Sequence, residues 1–323
     1  MTENFCHPSS VLSPLSEFAL IQRFFTRQTV KNPSTRLGIG DDCALLAVPD
    51  GFELALTADT MVENVHFFAG ADPEQLGHKL LAVNLSDLAG MGAKPVSVML
   101  AITMPSVDEA WLAAFVQGFL ALAERYGVDL IGGDTTSGAL TLTVQAMGLV
   151  PRGQALLRSA ARSGDLIYLS GNLGDAGLGL KIRQGYCCAE PDAALARFNM
   201  PTPRIETGLA LSGVAHACID ISDGLASDLG HILEQSRVGA CIDWDALPLS
   251  DAVLAYIEAT GDWTMPLVAG DDYELCFTVN PDNSARVPAE CRKIGVIDEA
   301  PGLRLNKSGI IQPLGVKGYE HFS

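Results

Sequence analysis

The sequence predicts an α/β protein of two domains. Its 323 residues exceed the usual length of one domain, which is about 150 residues. Strand-like apolar runs alternate with helix signals in both halves, and 48% hydrophobic with 18% charged residues is the composition of a globular protein. Turn residues at Pro151-Arg-Gly153 follow a long alternating segment. We therefore expect an N-terminal domain over 1–150 and a C-terminal domain over 151–323.

Three helices are expected in the first half. Residues 17–25 place large apolar side chains on one stripe, which indicates a short helix. The next helix begins at Asp72-Pro73, a capping side chain followed by proline, and ends near Gly90 or Gly92. The third begins at Ser106, where Glu109 completes a Ser-x-x-Glu capping box, and ends at Gly127.

Short apolar or alternating runs predict the strands, and the pattern continues into the second half. Helices of the second half are expected over 174–183, 203–215 and 223–236. Strand, helix, strand alternation of this kind is typical of α/β architecture. The predicted strands are 54–57, 96–103, 129–131, 140–150, 166–170, 218–221, 240–244, 274–278 and 293–297.

Charge and composition exclude several classes of partner. The formal net charge is -17, so the average field repels nucleic acid and anionic membrane surfaces. No apolar run is long enough to span a bilayer, and the amino terminus lacks a secretory pattern. The eight cysteines contain no Cys-x-x-Cys pair, which favours structural thiols over a zinc site. We expect a cytoplasmic protein with reduced cysteines.

Aspartates recur directly after apolar segments. Ends of strands deliver side chains to one edge of a sheet, where ligands of α/β proteins commonly bind. Carboxylates gathered there repel each other unless cations lie between them, and hard oxygen ligands select Mg²⁺ or Mn²⁺. The segments are Gly38-Ile-Gly-Asp-Asp42, Leu56-Thr-Ala-Asp-Thr60, Asn84-Leu-Ser-Asp87, Ile131-Gly-Gly-Asp134, Ile219-Asp-Ile-Ser-Asp-Gly224 and Gly270-Asp-Asp-Tyr-Glu274.

Each of these aspartates could instead cap a turn, and for any single site that is the better interpretation. The set of six favours a metal cluster. Neither a Gly-x-x-x-x-Gly-Lys-Ser/Thr loop nor a Gly-x-Gly-x-x-Gly motif is present, so metals would carry the phosphates. The turn over 170–177 could present backbone N–H groups to an anion or could be a tight connection. His66 could contact a substrate or could be packed.

Six motifs, taken in order, resemble bacterial thiamine-monophosphate kinases, a family within the aminoimidazole ribonucleotide synthetase-like superfamily. The resemblance spans nearly the whole chain from Glu17, and the ordered set is specific although no single motif is. The motifs are Gly38-Ile-Gly-Asp-Asp-Cys-Ala-Leu45, Asn84-Leu-Ser-Asp-Leu-Ala89, Leu130-Ile-Gly-Gly-Asp-Thr-Thr136, Ile219-Asp-Ile-Ser-Asp-Gly-Leu225, Asp272-Tyr-Glu-Leu-Cys-Phe277 and Lys317-Gly-Tyr-Glu-His-Phe322.

The resemblance implies a homodimer in which the N-terminal α/β domains of two chains form a barrel, each followed by a C-terminal α/β domain. It implies a kinase that makes thiamine diphosphate from thiamine monophosphate and ATP, with several Mg²⁺ per active site. Ala58 stands where the family usually has Thr, and Asp271 where Glu is frequent. The implied contacts are Asp42, Thr57, Ala58, Asp59, Asp87, Asp134, Asp220 and Asp223 to metal, Gly133, Asp134, Arg158 and Ser222 to ATP, and His66, Asp271 and Tyr319 to thiamine monophosphate.

The chemistry fits an acidic site that is poor in histidine. A phosphate monoester has a second pKa near 6, so the attacking oxygen is largely deprotonated at neutral pH and needs no general base. We therefore expect no catalytic residue beyond the metal ligands and Arg158. Two alternatives are another ATP-using enzyme of the same superfamily and a non-catalytic acidic metal-binding protein.

Overall fold

The computed structural model describes residues 16–28, 32–315 and 318. A π-helical turn over Ile21–Phe25 and 3-10 turns over Arg158–Ala160, Trp244–Ala246 and Pro281–Arg286 supplement the regular elements. The strands are β1 (Thr35–Leu37), β2 (Leu45–Leu46), β3 (Phe52–Val62), β4 (Lys94–Met104), β5 (Asp129–Ser137), β6 (Thr141–Pro151), β7 (Leu166–Leu169), β8 (Ala215–Asp220), β9 (Gly239–Asp243), β10 (Leu275–Val279), β11 (Arg292–Asp298), β12 (Gly302–Lys307) and β13 (Ile310–Pro313). The helices are α1 (Glu17–Leu20), α2 (Pro73–Gly90), α3 (Glu109–Tyr126), α4 (Asp175–Arg183), α5 (Asp192–Asn199), α6 (Ile205–Ala210), α7 (Leu225–Ser236), α8 (Asp251–Thr260) and α9 (Met265–Val268).

The first half of the chain forms a four-stranded sheet in the order β3-β6-β4-β5 within the described residues. β6 pairs antiparallel with β3 and β4, whereas β4 and β5 are parallel. Helix α2 contacts β3, β4 and β6, and α3 lies against α2. At their crossing the two backbones nearly touch, because a Cβ on Gly118 would lie 1.9 Å from the carbonyl oxygen of Glu74.

The second half forms a seven-stranded sheet in the order β13-β12-β9-β11-β7-β10-β8 among the residues described. Its pairs are antiparallel except for β9 with β12, which run parallel. Helix α7 packs against β8, β10 and β12, and α4 contacts α5, α8 and α9. The carboxyl end of β8 and the amino end of β10 meet at one edge, where β8 ends in Asp220.

Helix α2 joins the two sheets. Its buried residues Leu80 and Leu85 belong to one apolar cluster with Phe115 of α3 and with Tyr168 and Phe277 of the second sheet. At its carboxyl end, Gly90 brings the helix against the backbone of Asp220, since a Cβ on Gly90 would lie 3.3 Å from the Asp220 amide nitrogen. This packing fixes the distance between α2 and the end of β8, which decides the geometry of the site.

Several predicted elements are confirmed, with corrections at their ends. Helix α2 begins as expected, with the Asp72 side chain accepting hydrogen bonds from two backbone N–H groups. The predicted capping box at Ser106 is wrong, because Asp108 caps α3 by accepting from Ala110 and Trp111. The helix ends at Gly127 in the left-handed conformation, as predicted.

The prediction of one helix over 203–215 is also wrong. Helix α6 covers only Ile205–Ala210, and β8 already begins at Ala215. The sequence patterns did not predict α5, α8 or the hairpin of β12 and β13 near the end of the described chain. Within the described residues, no helix is both long and apolar enough to cross a membrane.

Candidate active site

A cavity of about 900 Å³ lies between the two sheets. Its floor is α2, whose residues Lys79, Val83 and Asp87 follow one another at intervals of one helical turn and all face it. β3 and the turn after it supply one wall, and the segments after β8 and α9 supply the opposite wall. The cavity is lined by Ala58, Asp59, Thr60, Met61, Asn64, Val65, His66, Phe67, Phe68, Lys79, Val83, Asp87, Ala176, Gly177, Leu180, Gln184, Phe198, Asp220, Ser222, Asp223, Ala269, Gly270, Asp271 and Tyr273.

One end of the cavity is acidic. Asp59 of β3, Asp87 of α2, and Asp220 and Asp223 after β8 come from segments that are far apart in the chain. The backbone N–H of Asp59 donates to the Asn84 side chain at 3.2 Å, which ties β3 to α2. The four aspartates were each predicted from the sequence to bind metal, and the fold brings all four to one cavity.

Neighbouring side chains orient these carboxylates. The hydroxyl of Thr57 donates a hydrogen bond to Asp87, and the hydroxyl of Ser86 donates to Asp220 at 2.6 Å. Thr57, expected as a metal contact, therefore holds a carboxylate in this structure. Asp228 of α7 accepts from the backbone N–H groups of Ser222 and Asp223, each at 3.1 Å, and so shapes the turn that carries Asp223.

The electrostatics of the acidic end reflect burial and crowding. Burial raises the pKa of Asp220 to about 8, and the negative charge of Asp87 adds to the rise. Burial followed by the charge of Asp87 raises the pKa of Asp59 to about 6. Burial also raises the pKa of Asp87, while the guanidinium of Arg158 acts in the opposite direction. A cation that enters between these groups therefore lowers the free energy of the site.

The donor set fits Mg²⁺. Carboxylate and hydroxyl oxygens are its preferred ligands, and Asp59, Asp87 and Asp220 line the same cavity. No three histidine, cysteine or acidic side chains in the described part of the chain could enclose an ion by themselves. Mg²⁺ is usually held by one or two carboxylates and completed by phosphate oxygens and water.

The other end of the cavity is aromatic and contains an ion pair between the buried Lys79 and the partly exposed Asp271. Phe67, Phe68 and Phe198 line it, and the Lys79 ammonium donates to Asp271 at 2.8 Å. The Tyr273 hydroxyl donates to the other oxygen of Asp271 at 2.9 Å. The segment carrying Asp271 is tied to the acidic end, because the Asp271 N–H donates to the Ser222 carbonyl at 2.9 Å.

His66 lines the cavity in the turn after β3, and its Nδ1 accepts a hydrogen bond from the backbone N–H of Val62 at 3.0 Å. A backbone N–H can only donate, so the neutral ring carries its proton on Nε2. His66, Ser222 and Asp271 thus line the cavity, as does Ala58, whose side chain has no ligand atom.

Other predicted residues do not line the cavity. Asp42, Gly133 and Asp134 are exposed and lie outside its lining. Gly133 has a structural reason to be glycine, since its φ is +149° and a Cβ would lie 1.8 Å from the carbonyl oxygen of Leu100. Arg158 is exposed beside the acidic end and is close enough to act on Asp87. Tyr319 lies outside the described residues.

Sequence patterns missed two groups of the site. Lys79 gave a signal that could have been used, because it precedes Asp87 by eight residues on the same helix face. The second group lies outside the cavity lining, in a cluster around the buried Glu274 carboxylate, which accepts from Ser170, Arg197 and Arg204. Its members are distant in sequence and come together only in the folded protein.

Comparisons with known proteins agree with this geometry. Residues 40–150 match the family model "AIR synthase related protein, N-terminal domain", and residues 162–302 match "AIR synthase related protein, C-terminal domain". The chain is 44% identical over 322 residues to the thiamine-monophosphate kinase of Haemophilus influenzae, covering 95% of this chain and 98% of the relative.

Solved structures give the same result. The crystal structure of thiamine-monophosphate kinase from Stenotrophomonas maltophilia K279a aligns with a TM-score of 0.83 at 42% identity, over 92% of this chain and 98% of that one. AaThiL complexed with AMPPCP and TMP aligns with a TM-score of 0.78 at 28% identity, over 95% and 97% of the two chains. On this evidence the chain belongs to the thiamine-monophosphate kinase family of AIR synthase related proteins.

Proposed function

We propose that this kinase transfers the terminal phosphoryl group of ATP directly onto the phosphate of thiamine monophosphate, in one in-line step. The proposed reaction depends on Mg²⁺ and yields thiamine diphosphate. The observation that carries the proposal is the polarity of the cavity. Four carboxylates occupy one end, and aromatic side chains with one ion pair occupy the other. Such a cavity can take a ligand with phosphate at one end and a flat heterocycle at the other.

At the acidic end the protein's task is to hold cations against phosphate. Asp59, Asp87, Asp220 and Asp223 are the proposed metal ligands that share the cavity, with Thr57 and Ser86 fixing two of the carboxylates. Bound Mg²⁺ supplies positive charge that offsets the repulsion between two phosphorylated substrates. Asp42, Asp134 and the backbone of Ala58 are further proposed ligands, which rest on the family resemblance alone.

The remaining residues bind and orient. We assign Arg158, whose charge acts on Asp87, to the ATP phosphates, together with Gly133, Asp134 and Ser222. His66 and Asp271, which both line the cavity, are assigned to thiamine monophosphate. Tyr319 completes the proposed substrate contacts. No side chain is needed as a base, because the attacking phosphate oxygen is already deprotonated at neutral pH.

We further propose that the enzyme is a cytoplasmic homodimer. Leu54, Leu56 and Met99 are exposed on one face of the four-stranded sheet, the face turned away from α2. Strand register supports a common face. Ala58 lies opposite Gln145, and Gln145 lies opposite Met99, so Ala58 and Met99 share a face. Leu54 and Leu56 lie on that face too, because every second side chain of a strand points the same way. An apolar sheet face of this kind is suited to a partner sheet, as in a barrel closed by two chains.

Turnover tests the proposal directly. Purified protein is incubated with ATP, Mg²⁺ and thiamine monophosphate, and ADP and thiamine diphosphate are measured together. Equal amounts of both products are expected, with none after chelation by EDTA and recovery on adding Mg²⁺. ATP loss without thiamine diphosphate would favour another enzyme of the superfamily, and no turnover would favour a metal-binding protein.

The stereochemistry of transfer tests the single step. With ATP made chiral at the γ-phosphorus, one in-line displacement inverts the configuration at phosphorus in the product. Retention would instead mean two displacements through a phosphorylated enzyme, and would contradict direct transfer.

A further inference from the structure

Lys79 is a buried cation in the middle of α2. Its side chain is about 6% exposed, and its ammonium lies 2.8 Å from the Asp271 carboxylate. The same ammonium stands 4.0 Å from the centre of the Phe198 ring. A lysine held this far from water loses hydration, which the carboxylate and the aromatic face replace. Lys79 belongs to the first half of the chain and Asp271 to the second, 192 residues later.

The segment that carries Asp271 needs such an anchor. Asp271 has a φ of 68° and Tyr273 a φ of 49°, both in the left-handed region that non-glycine residues rarely adopt. Backbone hydrogen bonds from Asp271 to Ser222 and from Tyr273 to Ile221 hold the segment on one side. The Lys79 ion pair holds it on the other side, across the cavity.

The hydrogen bonds to Asp271 determine how much acceptor capacity its carboxylate keeps for a ligand. Oδ2 accepts from Lys79 and Oδ1 accepts from the Tyr273 hydroxyl. Burial and the charge of Asp271 raise the pKa of Tyr273 well above its usual value, so the phenol stays a donor. Each carboxylate oxygen keeps a second lone pair. Asp271 therefore faces the cavity as an oriented acceptor whose charge is largely offset.

We propose that Lys79 is a positioning residue for the acceptor substrate, which it serves by holding Asp271 in the geometry that binds the non-phosphate end of thiamine monophosphate. This inference rests on the proposed function. Lys79 itself does not take part in phosphoryl transfer, because its ammonium is occupied by Asp271 and Phe198. Its loss therefore weakens binding of one substrate and leaves ATP binding unchanged.

Four variants test the role. Lys79→Met removes the charge and keeps much of the apolar stem, Lys79→Arg keeps a cation, and Tyr273→Phe removes only the second hydrogen bond to Asp271. Lys94→Met removes an exposed lysine at the start of β4 and serves as the control. Steady-state KM is measured for each substrate with the other saturating, and the Kd for thiamine monophosphate is measured by calorimetry.

Lys79→Met is expected to raise KM and Kd for thiamine monophosphate by about tenfold or more, the effect of losing a charged hydrogen bond. Its KM for ATP should stay within about twofold. Tyr273→Phe should give a smaller rise in the same direction, Lys79→Arg should recover most of the affinity, and Lys94→Met should match the wild type. Tyr273→Phe keeps the test valid if Lys79→Met fails to fold, since it preserves the buried charges.

Two results would overturn the inference. One is wild-type affinity for thiamine monophosphate in a folded Lys79→Met or Tyr273→Phe variant. The other is an equal rise in KM for both substrates together with a lower melting temperature, which indicates a structural role only. Failure of the proposed function gives a different result, because the wild type itself then makes no thiamine diphosphate. A wild type that also fails to bind thiamine monophosphate rejects both the proposed function and the role of Lys79.

Discussion

Asp220 illustrates the conflict between stability and function at the scale of one residue. It is 4% exposed, it lies at the end of β8, and it accepts a hydrogen bond from the Ser86 hydroxyl. Burial and the neighbouring Asp87 make its ionised form costly, yet an ionised carboxylate is what a Mg²⁺ ligand requires. Residues kept against their own stability in this way are typical of functional sites.

Replacing Asp220 by Asn should therefore separate the two effects. Asn keeps an acceptor for Ser86 but loses the charge, so kcat should fall by about 10³-fold or more, while the melting temperature in EDTA should rise by about 2 °C or more. Kinetics and calorimetry measure the two changes. Asp50→Asn, in an exposed turn, should change neither quantity. A variant with normal turnover would remove Asp220 from the metal ligands.

The pH dependence of stability follows from the same group. The pKa of Asp220 rises from 3.8 in the unfolded chain to about 8 in the folded protein, so the folded state holds the proton more tightly. Stability contributed by the protonated group is present below pH 3.8 and is lost as pH rises toward 8. Without metal, the melting temperature of Asp220→Asn relative to wild type should increase from pH 5 to pH 8.

Added Mg²⁺ should reduce that difference, because a bound cation stabilises the ionised carboxylate. Melting curves in EDTA and in Mg²⁺ across the same pH range provide the measurement. A difference that does not change with pH would mean that Asp220 does not titrate in this range.

At the scale of elements, the crossing of α2 and α3 depends on two glycines. A Cβ on Gly77 would lie 2.1 Å from the Phe115 carbonyl oxygen, and a Cβ on Gly118 would lie 1.9 Å from the Glu74 carbonyl oxygen. Neither contact can be relieved by moving a side chain, because the obstructing atoms are backbone. Any added group there must push apart the helices that cover the first sheet.

Gly118→Ala should therefore lower the free energy of unfolding by about 1–3 kcal/mol despite the better helix propensity of alanine. Gly230→Ala in α7 is the matched control, because a Cβ there meets nothing within 4 Å. That variant should gain up to about 1 kcal/mol from propensity alone. Denaturant titration compares the two, and equal effects would show that the helix crossing is not tight.

At the scale of the whole molecule, the exposed face of the four-stranded sheet bears on assembly. Leu56 is 59% exposed in the middle of β3, where strands usually bury such a side chain. A lysine at this position would place a charge inside the proposed interface between two chains. The same face carries Leu54 and Met99, so several apolar contacts would be lost together if the interface opens.

Leu56→Lys should shift the protein from dimer to monomer and raise the dissociation constant of the dimer by about tenfold or more. Light scattering after gel filtration measures the mass. Leu254→Lys, at an exposed position of helix α8, is the control and should leave the mass of the dimer unchanged. A wild type that is already monomeric would reject the proposed dimer.

Local patterns predicted much of this molecule. The apolar alternation of 140–150 gave β6, the Asp72-Pro73 pair gave the start of α2, and Gly127 gave the end of α3, because each depends on a few neighbouring residues. The same reasoning proposed Asp59, Asp87, Asp220 and Asp223 as metal ligands. All four line one cavity, although Asp59 lies inside β3 and Asp87 inside α2, not at the end of an element.

The sequence by itself thus determined the fold class, most elements and the acidic character of the site. Only the tertiary structure decided that these four aspartates share one cavity while Asp42 and Asp134 lie outside its lining, and that Lys79 pairs with Asp271. The physical reason is that helix and strand patterns arise from contacts within a few residues. The site arises from the packing of α2 against both sheets, which no local pattern encodes.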